Sequence, residues 1–355
     1  MRRPRLQVSI VLAAIAALLL ASSPASAQTT ARPLPALGLD SPVSVVAASF
    51  PAPLAAAPVE AAAVEPMTAR PVEGHAWTPV ATEPERTSIS SLELFALAVG
   101  DHGLSDTSGS VAIQRGGLDA TIGSATSDRA FALHLRNESS FYEWDGSSAL
   151  VPGTPKPFND LFETSVGAQL AVRADETWTW LAGLELTMSG EDLVDPTDSL
   201  IVGGQVGVRH AIADEIDFTF GLAGESRLED DAWVVPYFGF DWQLGARTNL
   251  AVQGSEIRFE HGFTDGLSVN LGAGYDIRQY RLNDEGPVAG GVFRDESIRL
   301  AAGMDWQVTD AGRLGLEFGQ VWWSEYTVLD GAGALVGSSE GEHSNYVGIS
   351  LTFGM

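Results

Sequence analysis

From Ser88 to the C-terminus, apolar side chains recur at every second position in runs that often exceed ten residues. Trp178, Trp180, Ala182, Leu184, Leu186 and Met188 alternate with Thr179, Leu181, Gly183, Glu185 and Thr187. Leu267, Val269, Leu271, Ala273, Tyr275 and Ile277 alternate with Asn270, Gly272, Gly274, Asp276 and Arg278. Period two means strands with one oily and one polar face, because successive strand side chains point to opposite sides. Run length then decides the class. A soluble strand is typically about 5–6 residues, whereas crossing a bilayer needs about 9–11 tilted residues. Lipid tolerates no unpaired sheet edge, so such strands must close into a ring.

The connections alternate in length. Ala174-Asp175-Glu176, Ala213-Asp214, Gly245-Ala246-Arg247, Thr264-Asp265-Gly266 and Asp310-Ala311-Gly312 are tight turns. Between them lie longer stretches, Asp145 to Asn159, Glu191 to Asp198, Asn283 to Gly291 and Asp330 to Glu342. Short turns at the periplasmic end and long loops outside are the pattern of outer-membrane barrels. Counting strands from Ser88–Val99 to His343–Phe353 predicts fourteen, with twelve as the alternative. Fourteen requires Gly254-Ser255 to split Asn249–Gln253 from Glu256–Phe263; one continuous strand would put the turn at Thr264-Asp265-Gly266 on the wrong side. The expected fold is all-β, a transmembrane antiparallel up-and-down barrel.

The N-terminus reads as an address. Arg2, Arg3 and Arg5 precede an apolar run from Val8 to Ala21, and Ala25-Ser26-Ala27 is an A-x-A cleavage site, so residues 1–27 read as a secretory signal peptide. Residues 28–86 are rich in proline and alanine and read as a disordered periplasmic linker. Residues 87–355 are the barrel. The chain has no cysteine, which excludes disulfides and thiolate metal sites. Twenty basic against 46 acidic residues give −26. Losing the three leader arginines leaves 17 − 46 = −29. Nucleic acid is thereby excluded as a partner.

Tyr346-Val347-Gly348-Ile349-Ser350-Leu351-Thr352-Phe353 alternates and ends on an aromatic. It resembles the closing strand of bacterial outer-membrane β-barrels. The hairpin from Arg258 to Val269 resembles their strand–turn–strand unit. The resemblance is nearest to barrels known only as domains of unknown function. It implies the cell outer membrane as location, lipid and lipopolysaccharide as surroundings, and the barrel-insertion machinery as a partner. Aromatics are expected in two interfacial girdles: Phe141, Tyr142, Trp144, Phe158, Trp233, Tyr237, Tyr280, Phe293, Trp322, Trp323 and Tyr326 outside, and Trp178, Trp242, Trp306 and Phe353 inside.

Chemistry is sparse. Gly337-Ser338-Ser339-Glu340-Gly341 matches G-x-S-x-G, but lies in a Gly/Ser-rich stretch with no helix after the serine, which a nucleophile elbow requires. The six histidines show no paired spacing, and no metal or cofactor motif is present. Asp192, Asp195, Asp198, Glu229, Asp230, Asp231, Glu340 and Glu342 are expected outside, as solvated acids or as ligands for divalent cations. The polar strand faces carry the informative charges: Glu163, Arg173, Glu185, Arg209, Asp217, Glu225, Asp241, Glu256, Arg258, Glu260, Asp276, Arg278, Arg299, Asp305 and Glu317. They are expected to line the lumen. In a narrow barrel they pair into a filling network; in a wide one they face water and, with ten acids to five arginines, favour cations. The expected activity is non-enzymatic, either a small-solute or ion pore or a structural membrane component. A rim-site enzyme and a secreted β-sandwich binding module are the alternatives.

Overall fold

The computed structural model describes residues 87–354 apart from 106–108, 147–149, 159, 193 and 230. The expected leader and linker lie outside the described residues. The strands are β1 (Thr87–Gly103), β2 (Ser110–Ala125), β3 (Arg129–Asp145), β4 (Leu161–Arg173), β5 (Trp178–Glu191), β6 (Leu200–Ala213), β7 (Ile216–Glu225), β8 (Trp233–Gly245), β9 (Thr248–Gln253), β10 (Glu256–Thr264), β11 (Leu267–Arg281), β12 (Val292–Thr309), β13 (Gly312–Leu329), β14 (Leu335–Gly341) and β15 (Ser344–Gly354). Sequential neighbours pair antiparallel from β1 to β13. β15 then bridges β13 and β1, with Leu351 opposite both Leu314 and Leu94, and closes a fourteen-strand barrel.

The turns that the sequence marks are where the chain reverses. Gly254, with φ +57°, makes the β9–β10 turn and keeps the strand count even. In the β4–β5 turn the Asp175 carboxylate accepts the backbone N–H groups of Thr177 and Trp178 and the Thr177 hydroxyl. Those donors hold its carboxyl below the usual range, the Thr177 N–H most of all.

β14 is the element that alternation missed. Asp330 to Glu342 reads as a loop, yet Leu335–Gly341 is a strand paired along the upper part of β13, from Ser324↔Gly341 to Leu329↔Leu335. Leu-Val-Gly-Ser-Ser-Glu-Gly has no oily face because this segment continues the wall beyond the ring. It also joins the end of β1 through a Leu104–Gly341 bridge and through Ser105 N–H to Glu340 C=O.

Side chains sort as the alternation requires. Trp180, Val206, Phe238 and Phe318 point outward and are each about 60% exposed. A water-soluble fold would not leave such a ring of large apolar groups uncovered. The inward positions hold buried charge instead, including Glu138, Asp276, Arg278 and Asp295.

The barrel is not the same ring at both ends. β9 and β10 have 6 and 9 residues, so β8 loses its partner beyond Gly239↔Gln253, and β11 beyond Glu256↔Gly274. Above that level β11 crosses to β5, where Arg281 pairs with Gly190 in a parallel bridge. The long-loop half is therefore ringed by β1–β5 and β11–β14, nine strands, against fourteen in the short-turn half.

Candidate functional site

The lumen of the long-loop half is crossed by a buried ionic network. Arg278 on β11 binds Glu138 on β3, past β4 and β5 on the same side of the upper ring. Glu138 also accepts from Arg136 Nη2 at 2.6 Å and from the Ser140 hydroxyl at 3.2 Å. Arg115 on β2 donates to Asp295 on β12 at 2.5 Å, and the Tyr142 hydroxyl donates to the same oxygen at 2.5 Å. Asp276 lies between three guanidinium groups: Arg278 Nε at 3.0 Å, Arg299 Nη2 at 3.5 Å and Arg115 Nη1 at 3.8 Å. The Arg136 guanidinium also lies over the Phe95 ring, 5.1 Å from its centre. Charges removed from water must be paired, and here each acid has at least two partners.

Above the network sits an aromatic core. Phe158 and Phe293 have ring centres 4.3 Å apart, and Tyr142 packs edge-on to Phe293 at 5.3 Å. Tyr280, Tyr326 and Trp144 complete the stack. The β3–β4 connection folds into the mouth and contributes Leu150, Val151 and Phe158, all buried. This corrects one expectation. Tyr142, Phe158, Tyr280, Phe293 and Tyr326 do not form an outer girdle but fill the lumen. Trp322 does stand outward, with its ring 4.9 Å from that of His343 and tilted 35° to it.

Below the network an open cleft begins, with Arg115, Arg136, Glu138 and Arg278 among its lining. Arg258, Asp305 and Glu317 lie on its wall. Asp305 takes Arg258 at 3.5 Å and the Asn270 amide at 2.9 Å.

Of the residues singled out from sequence, Asp276, Arg278 and Arg299 join the network, and Glu163 stands close enough to Arg278 and Arg136 to interact electrostatically with both. The others are dispersed around the wider half. Arg209 faces Asp217 at 3.8 Å, Asp241 is exposed with Asn249 3.4 Å away, and Glu185 accepts from the Thr187 hydroxyl at 3.2 Å. Glu225, Glu256 and Glu260 are half-buried, and Arg173 is exposed at the short-turn mouth. His134, on the lumen face, stands 3.2 Å from Asp119. Of the outer acids, Asp195 accepts from Thr197 within its own loop and Glu229 binds Arg281. Asp230 lies outside the described residues.

Alternation alone did not select the centre of the network. Arg115 shares its face with Val111 and Ile113, which are buried apolar residues, so β2 shows no clean polar stripe. Glu138 lies beyond Leu135, where Asn137 and Ser139 take the outward positions and the oily face stops. Residue parity was the available signal: Glu138 falls in register with His134 and Arg136.

No family model and no curated protein matches this chain. Among solved structures it is similar to an outer-membrane channel from Pseudomonas putida F1, at 10% identity over 79% of this chain and 100% of that one, with a TM-score of 0.43. It is also similar to the P. putida toluene transporter TodX, at 10% identity, 78% and 91% coverage and a TM-score of 0.37. A Pseudomonas aeruginosa FadL homologue is similar at 10% identity, 76% and 89% coverage and a TM-score of 0.37.

Proposed function

We propose that the protein is an outer-membrane β-barrel that does not form a standing axial pore. The supporting observation is the Arg115–Asp295 pair, which joins opposite walls of the nine-strand ring beneath a packed aromatic core. The inward charges then divide into two roles. Glu163, Asp276, Arg278 and Arg299 are structural, because their charges close the lumen. Arg173, Glu185, Arg209, Asp217, Asp241, Arg258, Glu260, Asp305 and Glu317 face or flank a water-filled vestibule, and set which small solutes or ions enter it from the short-turn side. The uncovered apolar side chains face lipid. The long loops face outward beside lipopolysaccharide, and the short turns face the periplasm. The alternating last strand is the part that the insertion machinery reads. At family level the resemblance is to outer-membrane barrels of unknown function. A non-catalytic role fits the scatter of the histidines along the chain; His134 stands 3.2 Å from Asp119 across β2–β3.

Reconstitution in planar bilayers tests this reading. The expected record shows purified protein inserted in the membrane with no steady conductance. A persistent open level in the unmodified protein overturns the closed-lumen assignment. A monodisperse protein in detergent-free buffer overturns the membrane assignment itself.

A further inference from the structure

At the long-loop end the wall is closed by a short seam between the end of β1 and β14. Glu342 N–H donates to Gly103 C=O at 2.8 Å, Ser105 N–H donates to Glu340 C=O at 2.9 Å, and Leu104 bridges Gly341. β1 reaches this seam through a bulge between Val99 and His102. The extra residue resets the parity of the strand, so His102 faces inward, paired with the buried Val111.

His102 is 4% exposed, and both of its ring nitrogens are engaged. Nδ1 lies 3.1 Å from Gly100 C=O, which only accepts, so Nδ1 carries the hydrogen. Nε2 of the neutral ring is then bare, and it accepts from the Tyr326 hydroxyl at 2.8 Å. Tyr326 belongs to the plug: its ring stacks on Phe293 and meets Trp144 edge-on. The imidazole thus ties the seam to the plug, and this bonding pattern holds only for the neutral ring.

A proton on Nε2 puts a second hydrogen between the ring and Tyr326. Ser324 Oγ borders the same Gly341 and can take the hydrogen that Tyr326 must turn away. Nothing takes the charge. Tyr326 is the titratable group that touches the ring from β13. The neighbour on β2 is apolar Val111, and Asp295 on β12 is held by Arg115 and Tyr142. Asp101, Glu340 and Glu342 are exposed, and Glu342 lies against Gly103 on the other face of β1. No acid pairs with His102 among the described residues. A buried charge without a partner is driven out to water.

We propose that His102 is an acid-released latch. Protons arriving from the long-loop side charge the imidazole, the ring leaves its recess, the β1–β14 seam parts, and Tyr326 is freed from the plug. Acid thereby turns a shut barrel into a conducting one. The inference rests on the closed-lumen reading.

Planar-bilayer records at about pH 7.5 and about pH 4.5, on either side of the ordinary range of histidine, test it. Open time of the unmodified protein should rise on the order of tenfold at the lower pH. His102→Gln keeps a neutral hydrogen-bonding side chain and should stay shut at both. In this cysteine-free chain, Gly103→Cys combined with Glu342→Cys places a disulfide across the seam. The oxidised form should stay shut in acid, and dithiothreitol should restore the response. An unmodified protein that stays shut in acid overturns the latch. So does His102→Gln opening as the unmodified protein does, or an oxidised seam that opens as readily as the reduced one. Should His102→Gln lose the heat-modifiable gel mobility of a folded barrel, His102→Asn replaces it, and the disulfide pair decides if both fail. A steady conductance of the unmodified protein at the higher pH would strike the closed-lumen reading instead.

Discussion

The two halves of this barrel are built from the same strands and solve opposite problems. The long-loop half has nine strands and a solid interior; the short-turn half has fourteen and a hollow one. Ring size explains the difference. About eight strands enclose a space that side chains can just fill, while 16–18 leave a water channel. Where β11 crosses directly to β5, β6–β10 are left out of the upper ring and opposite walls come within reach, so Arg115 can meet Asp295. Where all fourteen strands contribute, Asp241 remains exposed. One sequence thus makes a plug and a vestibule by shortening one hairpin, β9–β10, and letting β11 cross to β5 above it.

The sharpest way to break the comparison is to remove one acid from each half. Glu138→Ala leaves Arg136 and Arg278 buried without their shared partner and should cost about 3–5 kcal/mol. It should also introduce flickering conductance, read in urea titrations from vesicles and in single-channel records. Asp241→Asn, in the wide half, should change stability by less than about 0.5 kcal/mol. Equal costs for the two would end the distinction.

Next in size is Gly221→Ala. Tyr237 lies flat against the wall at this glycine, and a Cβ there would stand 2.6 Å from Tyr237 Cε1. Overpacking of this kind costs about 1–3 kcal/mol. The unfolding midpoint should drop accordingly.

Phe293→Leu keeps the plug apolar and trims its volume, for about 1 kcal/mol. It should lower the unfolding temperature without opening a conductance. An open channel in this variant would mean that the ionic layer alone does not seal the lumen.

Smallest is the β4–β5 turn. Asp175 is held below its ordinary value, so its contribution is present above the unfolded-state pKa and is lost as pH falls through the depressed one. The stability difference between the native protein and Asp175→Ala should therefore shrink on acidification. A difference that grows toward low pH would contradict the turn's hydrogen bonding.

Strand placement was legible because lipid imposes one rule on every crossing. Phe218, Phe220 and Leu222 point outward for the same reason as Trp178 and Trp180, and the alternation records it. The plug was not legible. Tyr142, Tyr280 and Tyr326 stand near outer strand ends, where an interfacial girdle and a lumen core use the same residue types. Only parity separates them, and parity cannot tell how close the far wall is. Asp276 and Arg278 were readable as lumen charges; their partners Arg115 and Glu138 come from strands 161 and 140 residues away, counted as 276 − 115 and 278 − 138. β14 escaped because a strand beyond the lipid has no oily face to show.

The double seam at β15 has a consequence for biogenesis. Eleven residues, Ser344–Gly354, carry both the ladder to β13 and the ladder to β1. The first strand threaded has no partner on one side until the last is delivered. Closure is thus the most distant contact in the molecule and, by loop-closure entropy, a slow one. Until then the chain has to be held unfolded on its way to the membrane. An early stop codon in the final codons would yield an open sheet with two bare edges rather than a slightly shorter barrel.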